Sequence, residues 1–275
     1  MSKTVALEDS MRSYEYVRTL GIVLKNVALG ANFASLSLIA RPASFVGYSS
    51  ESLFLYKTLT GKRRLKQRPV FDVIPCANIE EIKLTKLSDS GMYFGPLPAL
   101  TQDLISLCLM CRALKPRVIF EIGTLKGYTA LHLALNAPSA TVYTLDLPGS
   151  GDPSLATTMM DSQHVESHRQ IKKLCFEDVE EVRGRVHCLY GDSALFDFSP
   201  FYEKVDLFFV DGAHSYEYVR SDTISALRCC RKGSYIAWHD FGRVGVNGVS
   251  RYLFELAQTR EIYSIPGGSL AFMRC

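Results

Sequence analysis

The feature that most constrains this 275-residue chain is an alternation. From about Leu97 onward, short apolar runs recur, and stretches of helical spacing separate them. The runs are Arg117–Ile122, Thr141–Asp146, Arg185–Tyr190, Val205–Val210 and Ser234–Trp238. Near-continuous apolarity, rather than strict in–out alternation, marks a strand covered on both faces. Leu100, Leu104, Leu107, Cys108, Cys111 and Leu114 fall on one helical face before Pro116 stops the helix. Tyr128–Asn136, Tyr216–Lys232 and a segment marked by Val249, Tyr252, Leu253 and Leu256 predict three more helices. Strand, helix, strand within about 30 residues is a βαβ unit, whose crossover is right-handed. Repeated, it predicts an α/β fold, a doubly wound and mostly parallel sheet with helices on both faces. Glu261–Ile265 and Ser269–Arg274, split by Pro266-Gly-Gly268, predict a C-terminal antiparallel hairpin. Residues 95–275 then form one domain, and 148–176 a polar, partly helical insertion in it. Residues 1–94 form an N-terminal extension, helical near Leu7–Ala40 and irregular after that, expected to cover a substrate or pair two subunits.

Composition narrows the function classes. Apolar residues make up 47% and charged residues 21%, as in ordinary soluble proteins. A net charge of +3 gives no reason to expect a nucleic-acid partner. Leu20–Ile39, the most apolar early stretch, is broken by Lys25, Asn26 and Asn32 and followed by Arg41-Pro42. A membrane-spanning helix needs about 20 predominantly apolar residues, so no span is expected there. The basic run Gly61–Arg68 reads as a solvated loop, and His164 and His168 as a solvated pair. Eight cysteines without a secretory leader suit reduced thiols in a cytoplasmic protein. Cys108 and Cys111 sit inside the helical stripe, so they read as core rather than as half a zinc site.

In open α/β sheets ligands bind beyond the carboxyl ends of the strands. Glu121, Gly123, Thr124, Gly127, Tyr128 and Thr129 follow or end the first strand. Asp146 ends the second, 23 residues past Gly123, where a carboxylate can accept both hydroxyls of a ribose. Asp192 and Ser193 follow the third strand, Asp211 and His214 the fourth, and His239-Asp240 the fifth. A nicotinamide cofactor would want G-x-G-x-x-G at the first turn. The turn here is G-x-x-x-G, with an acidic residue just before it. That suits a ligand with a cationic part and no phosphate, such as S-adenosylmethionine (SAM).

This ordered text resembles the class I SAM-dependent methyltransferases, Rossmann-like in fold, and among them the small catechol-type O-methyltransferases. Phe120–Thr129, the strand ending in Asp146, Gly191–Ser193 and Val210–His214 carry the resemblance, which spans about residues 95–275. It implies that Glu121, Gly123 and the turn through Thr124, Gly127, Tyr128 and Thr129 hold the methionine end of SAM. Asp146 would bind the ribose, Asp192 and Ser193 would lie near the adenine, and Asp211 would close the set. Metal-dependent relatives place acidic ligands for a divalent cation, usually magnesium, after the fourth and fifth strands. Asp211 and Asp240 match, whereas His239 stands where an acidic or amide ligand is usual, which leaves Mg2+ or another divalent ion open. The D-G-x-H spacing from Asp211 to His214 also resembles macrolide-sugar O-methyltransferases, in which the histidine is a general base. That role passes to His214; the alternative is a histidine that orients Asp211 or caps the next helix. Ile265–Ala271 resembles the end of bacterial members. The implied function is a metal-assisted O-methyltransferase acting on a hydroxyl of a small molecule or sugar. A metal-independent methyltransferase and a non-catalytic SAM-binding protein are the alternatives. Tyr216, Tyr218 and Arg243 are candidates for the acceptor pocket.

Overall fold

A computed structural model describes residues 65–75, 81–85, 98–148, 151–158, 161, 173–243 and 246–275. The chain divides into two compact units, Met1–Leu59 and Thr60–Cys275, and every described residue lies in the second. Leu20–Ile39, His164 and His168 lie outside the described residues. Among the described residues no helix is long and apolar enough to cross a membrane.

Eight described strands form one sheet: β1 (Lys66–Gln67), β2 (Val118–Ile122), β3 (Thr141–Asp146), β4 (Val186–Tyr190), β5 (Val205–Val210), β6 (Cys230–Trp238), β7 (Tyr263–Ser264) and β8 (Ala271–Arg274). Their order across the sheet is β1-β7-β8-β6-β5-β2-β3-β4. All pairs are parallel except those of β8, which runs antiparallel to β6 and β7. The expected doubly wound sheet and its closing hairpin are both present. β1 counts with the N-terminal extension in the sequence pattern, yet it pairs with β7 and extends the sheet edge.

Side-chain alternation sorts the core into two halves. Ile119, Val142, Leu207, Phe209 and Ala237 pack on one face, against α1 (Val70–Val73), α2 (Pro98–Leu114) and α3 (Tyr128–Asn136). Phe120, Phe208, Ile236 and Trp238 pack on the other, against α4 (Tyr216–Cys229) and α5 (Asn247–Leu256). Every residue of β5 is buried, as the apolar run Val-Asp-Leu-Phe-Phe-Val requires of a central strand.

The helix predicted over Tyr216–Lys232 ends earlier, at Cys229. Cys230 already pairs with Val205, and a bulge then carries the chain to the Leu207–Tyr235 pair. The sequence pattern would turn Val219, Ile224, Leu227 and Cys230 inward; in the structure Tyr218, Val219, Asp222, Thr223, Ala226 and Cys229 are buried, with Ile224 and Leu227 half-buried. Thr223 is stabilised there by accepting a hydrogen bond from Trp238 Nε1 at 2.9 Å.

Candidate active site

β2 neighbours β3 on one side and β5 on the other, so the winding of the sheet reverses between β2 and β5. Such a reversal opens a crevice beyond the carboxyl ends of the strands. Gly123 sits at its floor with φ 100°. Its N–H donates to the Leu145 carbonyl at 2.8 Å, and Asp211 N–H donates to the Ile122 carbonyl at 2.9 Å. A Cβ at position 123 would lie 2.0 Å from the Asp211 carbonyl oxygen, so only glycine fits. The turn continues through Leu125, itself left-handed at φ 47°, to Gly127 at the N-terminus of α3. The Leu125 conformation is held by its N–H, which donates to Asp146 Oδ2 at 2.8 Å. Tyr128 is buried against Leu104 and Cys108, and Thr129 is half-buried in the first helical turn.

Two carboxylates flank this turn in different states. Glu121 is fully buried on the α3 side of β2. Thr124 Oγ1 lies 2.7 Å from Thr144 Oγ1, which donates to Glu121 Oε2 at 2.5 Å. Glu121 Oε1 is buried without a hydrogen-bond partner. Burial pushes the Glu121 carboxyl well above its ordinary pKa; Thr144 opposes this, and the Asp211 and Asp146 charges add to it. An unsatisfied buried oxygen beside a glycine floor is what a cationic ligand end would relieve, so these residues fit SAM. Asp146 is half-buried and accepts Leu125 N–H on Oδ2 and Leu147 N–H, at 2.9 Å, on Oδ1.

Asp192 accepts Ser154 N–H at 2.6 Å, Ala194 N–H at 2.9 Å and the Tyr218 hydroxyl at 3.0 Å. Burial opposes its ionisation, yet these bonds hold its pKa below the usual carboxylate value. The start of the 148–176 insertion is thereby tied to β4 and α4. Ser193 is half-buried. It lies near Asp222, whose carboxyl burial pushes up to about 7 while Ser193 opposes the shift.

On the other wall of the crevice, carboxylates and imidazoles alternate in a chain. Asp161 Oδ1 lies 2.5 Å from His214 Nδ1, and His214 Nε2 lies 2.6 Å from Asp240 Oδ2. Asp240 Oδ1 contacts Arg243 and lies 3.2 Å from His239 Nδ1. His239 Nδ1 is also 3.2 Å from Asp211 Oδ1, and His239 Nε2 is 3.2 Å from Asp103 Oδ2. Asp240 has φ 61°, a left-handed conformation that aspartate tolerates better than most residues. Asp211, His239 and Asp240 offer ligand atoms that all lie within 4.8 Å of one another. One imidazole and two carboxylates match a zinc-, manganese- or iron-type donor set better than the all-oxygen set magnesium prefers.

His214, which the sequence offers as a general base, lies between two carboxylates. Burial alone would lower its pKa, but the carboxylates of Asp161 and Asp240 override that and push it up to about 10. Both ring nitrogens face carboxylate oxygens. The His214 ring bridges Asp161 and Asp240, and its backbone N–H donates to Asp161 Oδ1 at 3.1 Å. Tyr216 donates to Glu255 at 2.6 Å and fastens α4 to α5 rather than lining a pocket.

Two members of this chain are absent from the sequence pattern. Asp103 lies inside the apolar stripe of α2 and is 1% exposed. It accepts Ser269 N–H at 2.8 Å, Ser269 Oγ at 2.6 Å and Leu270 N–H at 3.1 Å. A Cβ at Gly268 would stand 2.2 Å from Asp103 Oδ1, which explains a glycine in the Pro266–Ser269 turn. The one signal in the sequence is a charged residue in an apolar helix. Asp161 is buried and accepts Thr158 N–H at 2.6 Å. Nothing in its local sequence points to His214.

Residues 120–241 match the family model described as a methyltransferase domain. Among solved structures, the chain is similar to an O-methyltransferase from Bacillus cereus in complex with S-adenosylhomocysteine (SAH). The identity is 20%, covering 75% of this chain and 89% of that one, with TM-score 0.43. It is also similar to TomG of Streptomyces achromogenes, an O-methyltransferase involved in tomaymycin synthesis, in complex with SAM. There the identity is 20%, covering 63% and 79%, with TM-score 0.42. The SAH-bound methyltransferase PaMTH1 of Podospora anserina is 16% identical, covering 63% and 77%, with TM-score 0.46. Residues 120–241 thus match a methyltransferase domain, set on a mostly parallel α/β sheet.

Proposed function

We propose that the chain transfers the methyl group of SAM to a hydroxyl of a small molecule or sugar, with a divalent cation held by Asp211, His239 and Asp240. The observation that carries this reading is the convergence of those three side chains beside the Gly123 floor. SAM brings a methyl group on a sulfonium, whose departure as a neutral thioether needs little assistance. A divalent cation at the three ligands would lower the pKa of an acceptor hydroxyl.

The chain supplies position and charge. Glu121 receives the cationic end of the donor, and Asp146 takes the ribose hydroxyls. The Leu125–Asp146 bond keeps the turn and the ribose carboxylate in register. Asp211 is the most exposed carboxylate of its wall, 26% in its side chain, and is therefore the group placed to take the acceptor proton. His214 and Asp103 hold Asp240 and His239 from behind. Fixed donors and charges of this kind lower a barrier by orientation and electrostatics.

A methyl-transfer assay with labelled SAM over a panel of small-molecule and sugar alcohols tests the reading. Turnover is expected to fall at least about 100-fold in EDTA, within the range of metal catalysis, and to return on adding one divalent ion. Full turnover in EDTA, unchanged in Asp211→Asn, would remove the metal and leave a metal-independent transferase.

A further inference from the structure

Asp103 is the one carboxylate of α2, and it lies on the buried side of that helix. A charge so enclosed persists only where partners replace water. Asp103 Oδ1 accepts Ser269 N–H at 2.8 Å and Leu270 N–H at 3.1 Å, and Oδ2 accepts the Ser269 hydroxyl at 2.6 Å. Oδ2 also lies 3.2 Å from His239 Nε2. The other ring nitrogen, Nδ1, lies 3.2 Å from both Asp211 Oδ1 and Asp240 Oδ1. The backbone around the ring is held as well. His239 N–H donates to the Val210 carbonyl at 3.1 Å, and Phe241 N–H donates to the Ser269 carbonyl at 2.8 Å. So β5 holds the start of His239-Asp240, the hairpin turn holds its end, and Asp103 meets the imidazole between them. The Phe209 ring stands nearly perpendicular to that imidazole, with centroids 6.3 Å apart. The hairpin itself is closed without Asp103, by Ile265 N–H donating to the Leu270 carbonyl at 3.0 Å. A neutral amide would serve the Ser269 and Leu270 N–H groups equally well. The charge at position 103 therefore answers to His239.

We propose that Asp103 is a positioning residue for the divalent cation: it keeps the His239 proton on Nε2, turned toward α2, and leaves Nδ1 as the ring atom that ligates beside Asp211 and Asp240. The inference rests on the cation reading above and adds to it a residue outside the ligand set. An ionised carboxylate accepts and never donates, so the ring nitrogen facing it carries the proton. Ligating imidazoles commonly give their second N–H to a carboxylate, which fixes the ring and raises its basicity toward the metal. Asparagine separates this role from support of the turn. In Asp103→Asn the amide oxygen stays where the Ser269 and Leu270 N–H groups converge. The NH2 group then takes the place of Oδ2, donates to the Ser269 hydroxyl and faces His239 Nε2. Nε2 has to accept there, and the ring proton moves to Nδ1, on the cation side. The substitution keeps the turn and spoils the ligand, as it does for other histidines held by an aspartate. α2 thereby governs the cation although none of its residues ligates it.

The experiment titrates Mn2+ into the full chain and reads the free ion by electron paramagnetic resonance. Wild type should bind one ion, and Asp103→Asn should bind it at least about 10-fold more weakly, the scale of such outer partners, while still melting cooperatively. Ser269→Ala removes a hydroxyl from Asp103 but leaves the carboxylate facing His239, so it should bind Mn2+ more tightly than Asp103→Asn does. A second readout needs no variant and serves if Asp103→Asn does not fold. Long-range proton–nitrogen correlation on zinc-loaded wild type, labelled with 15N-histidine, should show His239 protonated at Nε2 and ligating through Nδ1. Equal Mn2+ affinity in wild type and Asp103→Asn would overturn the proposal and leave the cation reading standing. So would zinc on His239 Nε2, or a loss in Ser269→Ala as large as in Asp103→Asn. No Mn2+ binding to wild type would remove the cation reading and the proposal with it.

Discussion

Glu121 shows how one side chain can oppose folding at a site proposed to bind the donor. Its Oε1 has no partner in a fully buried site, and its pKa is raised by burial and by two neighbouring carboxylates. A carboxyl with a raised folded pKa contributes most below its unfolded value, here taken as 4.5, and loses that contribution as pH rises through the folded value. The free protein should therefore lose thermal stability as pH rises above about 4.5. Glu121→Gln should flatten that slope and raise the melting temperature at pH 8, while reducing the shift that SAH confers. A Glu121→Gln variant that melts lower at pH 8, or responds fully to SAH, would contradict this account. Glu121, Gly123 and Asp146 are legible in the sequence because they sit at fixed offsets from apolar runs. Asp103 is not, because its partner Ser269 lies 166 residues away and only the folded chain joins them.

Among the elements, apolar runs identify the strands because a central parallel strand is buried on both faces. The inward stripe of α4 departs from its apolar pattern because Asp222 and Thr223 are polar yet fully buried. Hydropathy cannot report a buried carboxyl, nor a hydroxyl that Trp238 satisfies across the sheet. The segment at residues 81–85 is strapped to α3 in the same unannounced way. Lys83 N–H donates to Asn136 Oδ1 at 2.9 Å, and Thr85 N–H donates to His132 Nε2 at 3.2 Å. His132 Nδ1 donates to the Tyr128 carbonyl at 2.8 Å, so Nε2 must stay unprotonated to accept. Burial accordingly lowers the His132 pKa below 6.5. A depressed histidine stabilises the fold above the unfolded value and loses that contribution as pH falls through the folded one. Hydrogen exchange at Thr85, corrected for intrinsic rates, should show protection falling from pH 7.5 to pH 5. Constant protection would mean that the strap does not depend on neutral His132. α5 makes a second test. A Cβ at Gly248 would lie 2.3 Å from the His214 carbonyl and 2.4 Å from Tyr216 N. Gly248→Ala should therefore destabilise the unit by about 2 kcal/mol in urea, within the range for overpacking. An unchanged midpoint would show that α5 shifts freely.

Across the whole sheet, one edge of the molecule gathers the chemistry. The reversal between β2 and β5 places a glycine floor, the Asp146 carboxylate and a carboxylate–imidazole cluster around one crevice. α2, the hairpin turn and the insertion brace that crevice through Asp103, Ser269 and Asp161. The sequence pattern places Asp211, His239 and Asp240 together from strand order alone. It cannot show that His214 lies between two carboxylates, since Asp161 comes from a polar segment with no strand to position it. The most direct test of this arrangement is calorimetric titration of the full chain with SAM, beside Asp146→Ala. One saturable site is expected, weakened at least tenfold, or about 1.4 kcal/mol, in the variant. No binding to the wild-type chain, or equal affinity in both proteins, would contradict the account.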